Sequence, residues 1–139
     1  MHFAGLNFLA IGIAAVVSFV FGGLWYGVFG KAWMDALGKS EADIRSAGRP
    51  MPVLLGITFV AQLVMAWVLA GTIGHLGAGQ VSLRNGLISA GFIWFGFVLT
   101  TQIVNHGYQG AKSALTAIDS LHWLGVLLIQ GAIIGWMGV

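Results

Sequence analysis

Charged side chains are absent from four long stretches of this chain. No Asp, Glu, Lys or Arg occurs in residues 1–30, 50–83, 85–111 or 120–139. Each stretch can supply the roughly 20 apolar residues that a helix needs to cross the hydrocarbon core of a bilayer. Only 7% of the residues are charged and 58% are hydrophobic, whereas soluble domains carry about 25% charged residues. The chain therefore belongs to the class of multi-pass membrane proteins.

The sequence predicts an all-α membrane protein with four transmembrane helices in a compact antiparallel bundle. Short connections make consecutive helices antiparallel neighbours. A polar cytoplasmic segment, 30–50, separates the first two spans. Within it, Ser40 and Asp43 form a capping-box pattern that predicts a short cytoplasmic surface helix over 41–47. The chain is a single domain, 1–139, and its spans are predicted at about 3–29, 52–76, 83–105 and 115–137.

Lys and Arg are distributed unequally between the two ends of the predicted bundle. Basic residues follow the first and third spans, and only Arg84 lies at the opposite end. Because cytoplasmic loops carry the excess of Lys and Arg, both termini are predicted to be extracytoplasmic. No basic residue precedes the first span, which favours a retained span over a signal peptide. The basic residues at the cytoplasmic end are Lys31, Lys39, Arg45, Arg49 and Lys112.

Small residues recur at four-residue spacing in three of the spans, a pattern typical of closely packed membrane helices. They are Ala10, Ala14, Ser18, Gly22, Gly23 and Gly27 in the first span, Ala66, Ala70 and Gly74 in the second, and Gly131 and Gly135 in the fourth. A lone bundle does not need all of these faces. The leading hypothesis is therefore a non-catalytic subunit that forms homo-oligomers or joins a larger membrane-protein complex.

Several classes of function are disfavoured by what the sequence lacks. It has no cysteine, which excludes disulfides and thiolate chemistry. The basic residues form no stripe, so a nucleic-acid partner is not expected. There is no phosphate-binding glycine loop, nucleophile elbow or HExxH pattern. We therefore expect neither an enzyme nor a bound metal or other cofactor.

Asp119 is the ionisable residue most worth testing, because charged groups inside a membrane are costly and usually functional. His122 follows it by three residues and shares its helix face. The predicted topology gathers further polar groups at the same end. Together they form a candidate proton or ligand site: Tyr26, Lys31, Asn105, His106, Lys112, Asp119 and His122.

Three alternatives remain open for these polar groups. Asp119 could simply favour the positive end of its helix or pair with Lys112. Asp119 and His122 could be the protonatable site of a small transporter or channel. The chain could also be a cofactor- or lipid-binding subunit. His106, His122 and Asp119 could hold a metal, or the two histidines could hold a haem between them. A quinone, a carotenoid or a lipid tail is a further possible ligand.

The positions of Gln and Trp residues along the predicted spans indicate two further roles. Gln62 and Gln130 lie within spans and are expected to hydrogen-bond between helices. Trp33, Trp123 and Trp136 lie near predicted helix ends, where tryptophans anchor a protein at the membrane interface.

The run WYGVFGKAW at 25–33, with NHGYQGAKSALTAID at 105–119 and GAIIGW at 131–136, resembles a known family. It is the DUF1761-like group of small bacterial four-helix membrane proteins, catalogued as a domain of unknown function. The resemblance covers nearly the whole chain. It implies a four-helix fold in the bacterial cytoplasmic (inner) membrane and brings no agreed activity.

Overall fold

The computed structural model describes residues 5–139. Within that range, four helices are long and apolar enough to cross a membrane. They are α1 (Phe8–Leu37), α3 (Met51–Gly74), α4 (Leu83–Tyr108) and α5 (Ser113–Met137), and the short helix α2 (Glu41–Ser46) lies between α1 and α3. The spans form a compact bundle in which α5 packs against the other three. The predicted fold class is confirmed, and the start predicted at residue 3 lies outside the described residues.

α1 is longer than predicted. It continues through the charged residues Lys31 and Asp35 and ends at Leu37, whereas the prediction ended the span at about Phe29. That boundary is wrong because Ala, Met, Lys and Leu, which dominate this extension, are good helix formers whether or not they are buried. The helix stops where Gly38 adopts a left-handed conformation with φ 68°, as is common just past a helix C-terminus.

α2 is stabilised at its N-terminus as the capping pattern predicts. The Asp43 N–H donates to Ser40 Oγ at 3.2 Å, and the Ser40 N–H donates to Asp43 Oδ2 at 2.9 Å. The backbone hydrogen bond from Ser40 is the main reason that the pKa of Asp43 lies below its usual value. On the exposed side of α2, Arg45 Nη2 pairs with Glu41 Oε1 at 2.5 Å.

The half of the bundle that contains residues 7–18 and 126–137 is tightly packed, and we call it the closed half. Asn7 Nδ2 donates to the Met137 carbonyl at 3.3 Å and joins α1 to the end of α5. Gly86 and Gly131 bring α4 and α5 so close that a Cβ on either would overlap the backbone oxygen of the other. The core here consists of Leu6, Ile11, Ala14, Ala66, Leu69, Ala70, Ile73, Ala90, Leu127 and Ile134.

The other half, containing residues 19–37 and 113–123, is packed less completely, and we call it the open half. Residues 51–61 of α3 and 94–108 of α4 include no buried residue. The last buried residue of α4 is Ala90, and a π-helical turn, which no sequence pattern predicted, follows over Trp94–Leu99. Such turns widen a helix locally and are frequent at functional sites.

The predicted packing residues divide into three groups by burial. Gly74 is half-buried, and Gly23 and Gly27 are exposed on α1. The remaining residues pack inside this chain: Ala10, Ala14, Ser18, Gly22, Ala66, Ala70, Gly131 and Gly135 are buried.

Candidate functional site

Asp119 is held by a phenol from the neighbouring helix. The Tyr26 hydroxyl on α1 donates to Asp119 Oδ1 on α5 at 2.7 Å, a strong geometry for a hydrogen bond between oxygens. Both residues are half-buried and lie inside helices long enough to span the membrane. A carboxyl group inside a membrane needs such a partner, because an unpaired charge there is costly.

His122 lies one turn further along α5, as its spacing from Asp119 predicts. Only 4% of the surface of His122 is exposed. The ring packs near-parallel to Phe21 at 6.2 Å between centroids, and lies 4.9 Å from the ring of Tyr26 and 4.7 Å from that of Trp123. Three aromatic rings therefore contact the imidazole.

Gly22 supplies the space that the imidazole occupies. A Cβ at Gly22 would lie 2.8 Å from His122 Nε2, closer than ordinary contacts allow. At the other ring nitrogen, Nδ1 is buried and has no hydrogen-bond partner in the described part of the chain. A buried polar atom left without a partner costs about 1–3 kcal/mol, so His122 holds a hydrogen-bonding position that a ligand could use.

A groove of about 670 Å³ lies between α1 and α3, with Tyr26, His122 and Trp123 on its wall. Leu54 and Thr58 line the α3 side. The groove is mostly apolar, and its size falls in the range of about 300–1,000 Å³ that is usual for small-molecule sites. None of residues 51–61 of α3 is buried, and within this range Phe59 contacts the ring of Phe19 on α1 at 5.6 Å between centroids.

The groove ends at a buried polar triad in the middle of the bundle. Ser18 Oγ donates to Gln62 Oε1 at 3.0 Å, and Gln130 Nε2 donates to Ser18 Oγ at 3.1 Å and to the Gln62 carbonyl at 3.1 Å. The predicted interhelical hydrogen bonds of Gln62 and Gln130 are confirmed. Gln62 also lines the groove, so the triad closes the end that faces the closed half.

A second groove, of about 520 Å³, lies between α4 and α5. On its wall, His106 Nδ1 and Thr116 Oγ1 are joined by a 2.8 Å hydrogen bond. At its inner end, Trp94 Nε1 donates to the Ser120 carbonyl at 2.6 Å. This bond ties the π-helical turn of α4 to α5 one residue from Asp119.

Only three of the predicted site residues come together, namely Tyr26, Asp119 and His122. His106 is engaged by Thr116, while Lys31 and Asn105 are exposed. Lys112 does not pair with Asp119, because its Nζ donates to the Asp35 carbonyl at 3.4 Å. Across residues 5–139, no three His, Asp or Glu side chains converge as metal ligands, so the His106, His122 and Asp119 set is not assembled.

Two of the three predicted interface tryptophans also line the α1–α3 groove. Trp33 and Trp123 are half-buried on its wall, and Trp33 contacts the ring of Tyr26 at 5.8 Å between centroids. Trp136 is 80% exposed near the end of α5. Sequence reasoning missed the groove, although Phe19, Tyr26 and Trp33 recur at seven-residue spacing and mark one stripe of α1.

Comparison with known families finds a match over most of the chain. A family model described as a protein of unknown function, DUF1761, covers residues 9–135 of the chain. The comparisons with curated proteins and with solved structures return no match.

Proposed function

The chain belongs to the DUF1761 family of unknown function, and we propose that it is a small transporter whose working group is the carboxyl of Asp119. The observation that carries the proposal is the 2.7 Å hydrogen bond from Tyr26 to Asp119 within the spans. It places a protonatable carboxyl beside a phenol that lines an open groove. Ionisable groups in this setting characteristically serve proton or ion pathways.

Protonation of Asp119 changes what Tyr26 can bind. An ionised carboxylate accepts the Tyr26 hydroxyl in a charge-assisted hydrogen bond, roughly twice as strong as a bond between neutral groups. A proton on Asp119 weakens that bond and leaves the phenol free to turn to a ligand in the groove. Proton uptake and ligand binding are thereby coupled through one hydrogen bond.

Two charged residues of α2, Glu41 and Arg45, line the groove, and they pair with each other. From α5, His122 faces Tyr26 and is the second group able to take a proton. From α1, Lys31 is exposed beyond Tyr26, and Lys112 is engaged by the Asp35 carbonyl. The coupling between proton uptake and ligand binding therefore involves Asp119, Tyr26 and His122.

The contacts within the chain favour this function over the non-catalytic packing subunit. The packing hypothesis depended on small-residue faces left over for other helices. Most of those residues are buried against this chain's own helices, and Gly23 and Gly27 remain on the surface. Small-residue faces left unpacked within the chain therefore give little support to association with another protein. The Asp119 site, in contrast, uses polar groups that helix packing does not require.

A vesicle assay with an internal pH dye tests the proposal. After an external acid jump, vesicles that contain the wild-type protein should acidify internally faster than protein-free vesicles. Asp119→Asn should slow the protein-dependent rate by about 100-fold, a typical contribution of one positioned proton-transfer group. Tyr26→Phe should slow it less, because the carboxyl remains.

Asp35→Asn is the matched control, since Asp35 is an exposed carboxylate on α1 outside the site. It should leave the rate unchanged. No protein-dependent flux, or equal flux in the wild type and Asp119→Asn, would contradict the proposal.

A further inference from the structure

The α1 wall of the groove alternates aromatic rings with glycines. Phe19, Tyr26 and Trp33 line it at seven-residue intervals, which correspond to about 10.5 Å along a helix with a rise of 1.5 Å per residue. Gly22 and Gly23 lie between the first two rings; the imidazole of His122 covers Gly22, and Gly23 is exposed. The rings project from α1, and the glycine between them leaves the backbone uncovered. We call this flat part of the groove, at Gly23 between Phe19 and Tyr26, the bay. A planar group can contact the helix there.

Next to the bay between Phe19 and Tyr26, the side chain of His122 has a ring nitrogen without a hydrogen-bond partner among the described residues. His122 lines the groove beside Gly22, and its Nδ1 is buried without a partner. Gln62 lies at the inner end of the groove, and the Tyr26 hydroxyl is held by Asp119. An acyl chain would satisfy none of these groups, whereas a ring that carries oxygen atoms would hydrogen-bond to His122.

The groove is accessible from the bilayer. Met51, Leu54 and Leu55, which line it on α3, are 55%, 41% and 48% exposed, and they belong to a span. Exposed apolar side chains of a membrane helix face lipid. A molecule dissolved in the membrane can therefore enter between α1 and α3 without crossing water.

We propose that this groove binds a lipid-soluble molecule whose headgroup is a single planar ring bearing oxygen atoms, of the quinone and phenol class. The ring lies on Gly23 between Phe19 and Tyr26, and one ring oxygen accepts a hydrogen bond from His122, whose imidazole covers Gly22. Its apolar chain follows the α3 residues of the groove toward the bilayer. The inference rests on the proposed function, since it names the ligand class of the site that Asp119 controls.

Binding is measured by titrating a decyl-substituted benzoquinone into the protein in lipid nanodiscs, with quenching of tryptophan fluorescence as the readout. Trp33 and Trp123 line the groove and report on it. The wild type should show saturable quenching. Decanol, which has the same chain length without the ring, should not compete at equal concentration.

Two glycines of α1 provide a matched pair of variants. Gly23 lines the groove and Gly27 does not, while both are exposed and have no atom within 4 Å of an added Cβ. Gly23→Leu fills the bay and should weaken quinone binding by about tenfold or more, and Gly27→Leu should leave it unchanged. His122→Phe preserves the ring packing and should weaken binding by about tenfold through the lost hydrogen bond.

Three results would overturn the inference: no saturable quenching, equal competition by decanol, or equal binding by Gly23→Leu and Gly27→Leu. Its failure is distinguishable from that of the proposed function. If quinone does not bind while Asp119→Asn still abolishes proton flux, only the ligand class is wrong. If quinone binds as described but flux is equal in Asp119→Asn and the wild type, the transport function is wrong and the groove remains a binding site.

Discussion

The closed half and the open half use the same types of helix for different purposes. In the closed half, small residues bring the helices together, and Ser18, Gln62 and Gln130 hydrogen-bond to one another between helices, although Gln130 Oε1 has no partner within residues 5–139. In the open half, two grooves flank α5, and a buried ring nitrogen of His122 remains without a partner. A structure built only for packing would fill such spaces, so we propose that the closed half provides stability and that the open half binds a ligand.

The largest effect on stability should come from Gly131→Leu in the closed half. A side chain at Gly131 must displace the backbone of α4 at Gly86, which cannot move as a flexible side chain would. We expect a loss of about 3 kcal/mol, the upper part of the usual range for overpacking, measured as a lower melting temperature in detergent. Gly27→Leu on the exposed face of α1 is the control. If the two variants have the same melting temperature, the closed half is not held together by tight packing at Gly131.

Gln130→Leu should have a smaller effect. It removes the donor that joins Gln130 to Ser18 and to the Gln62 carbonyl. Because interhelical hydrogen bonds in membranes contribute about 0.6 kcal/mol on average and at most about 1.7, we expect a destabilisation of about 1 kcal/mol in the same melting assay. An unchanged melting temperature would show that the triad does not stabilise the closed half.

Gly22→Ala should affect function more than stability. The new methyl group collides with His122 Nε2, but the imidazole lines the groove and has room to move into it. The stability loss should therefore stay below the roughly 1 kcal/mol that overpacking costs in a filled core. The moved imidazole should impair proton flux in the vesicle assay. Normal flux together with strong destabilisation would make this part of the open half a packing element.

The smallest effect concerns α2 and its pH dependence. The hydrogen bonds from Ser40 hold the pKa of Asp43 below its ordinary value of 3.8, so capping stabilises α2 fully above that pH. This stabilisation of α2 is lost as the pH falls through the lowered pKa of Asp43, because the carboxylate is then protonated. Amide hydrogen exchange in α2 should therefore be insensitive to Asp43→Asn at low pH and faster in the variant at neutral pH. Equal protection at neutral pH would contradict a role for the cap.

The sequence predicted most of the fold, because a stretch free of charge over more than 20 residues is a local property that only a membrane or a buried core accommodates. It failed at the end of α1, where Lys31 and Asp35 suggested a loop but lie in a helix that stops only at Gly38. The π-helical turn at Trp94–Leu99 has no local signature in an apolar run.

The site was predictable only in part. His122 shares a face with Asp119 by spacing alone, which local periodicity reveals. The choice of Tyr26 as partner depends on how α1 and α5 are rotated against each other, which is set by the buried contacts at Ser18 and Gly22. The groove depends on where α3 fails to pack, and no pattern within α3 encodes that.

One measurement tests the division between the halves most directly: proton flux per folded molecule in Asp119→Asn and in Gln130→Leu, reconstituted at equal folded amounts. We expect Asp119→Asn to melt like the wild type and to lose its flux. We expect Gln130→Leu to melt at a lower temperature and to retain wild-type flux. Equal loss of flux in both variants, or full flux in Asp119→Asn, would contradict the assignment of function to the open half.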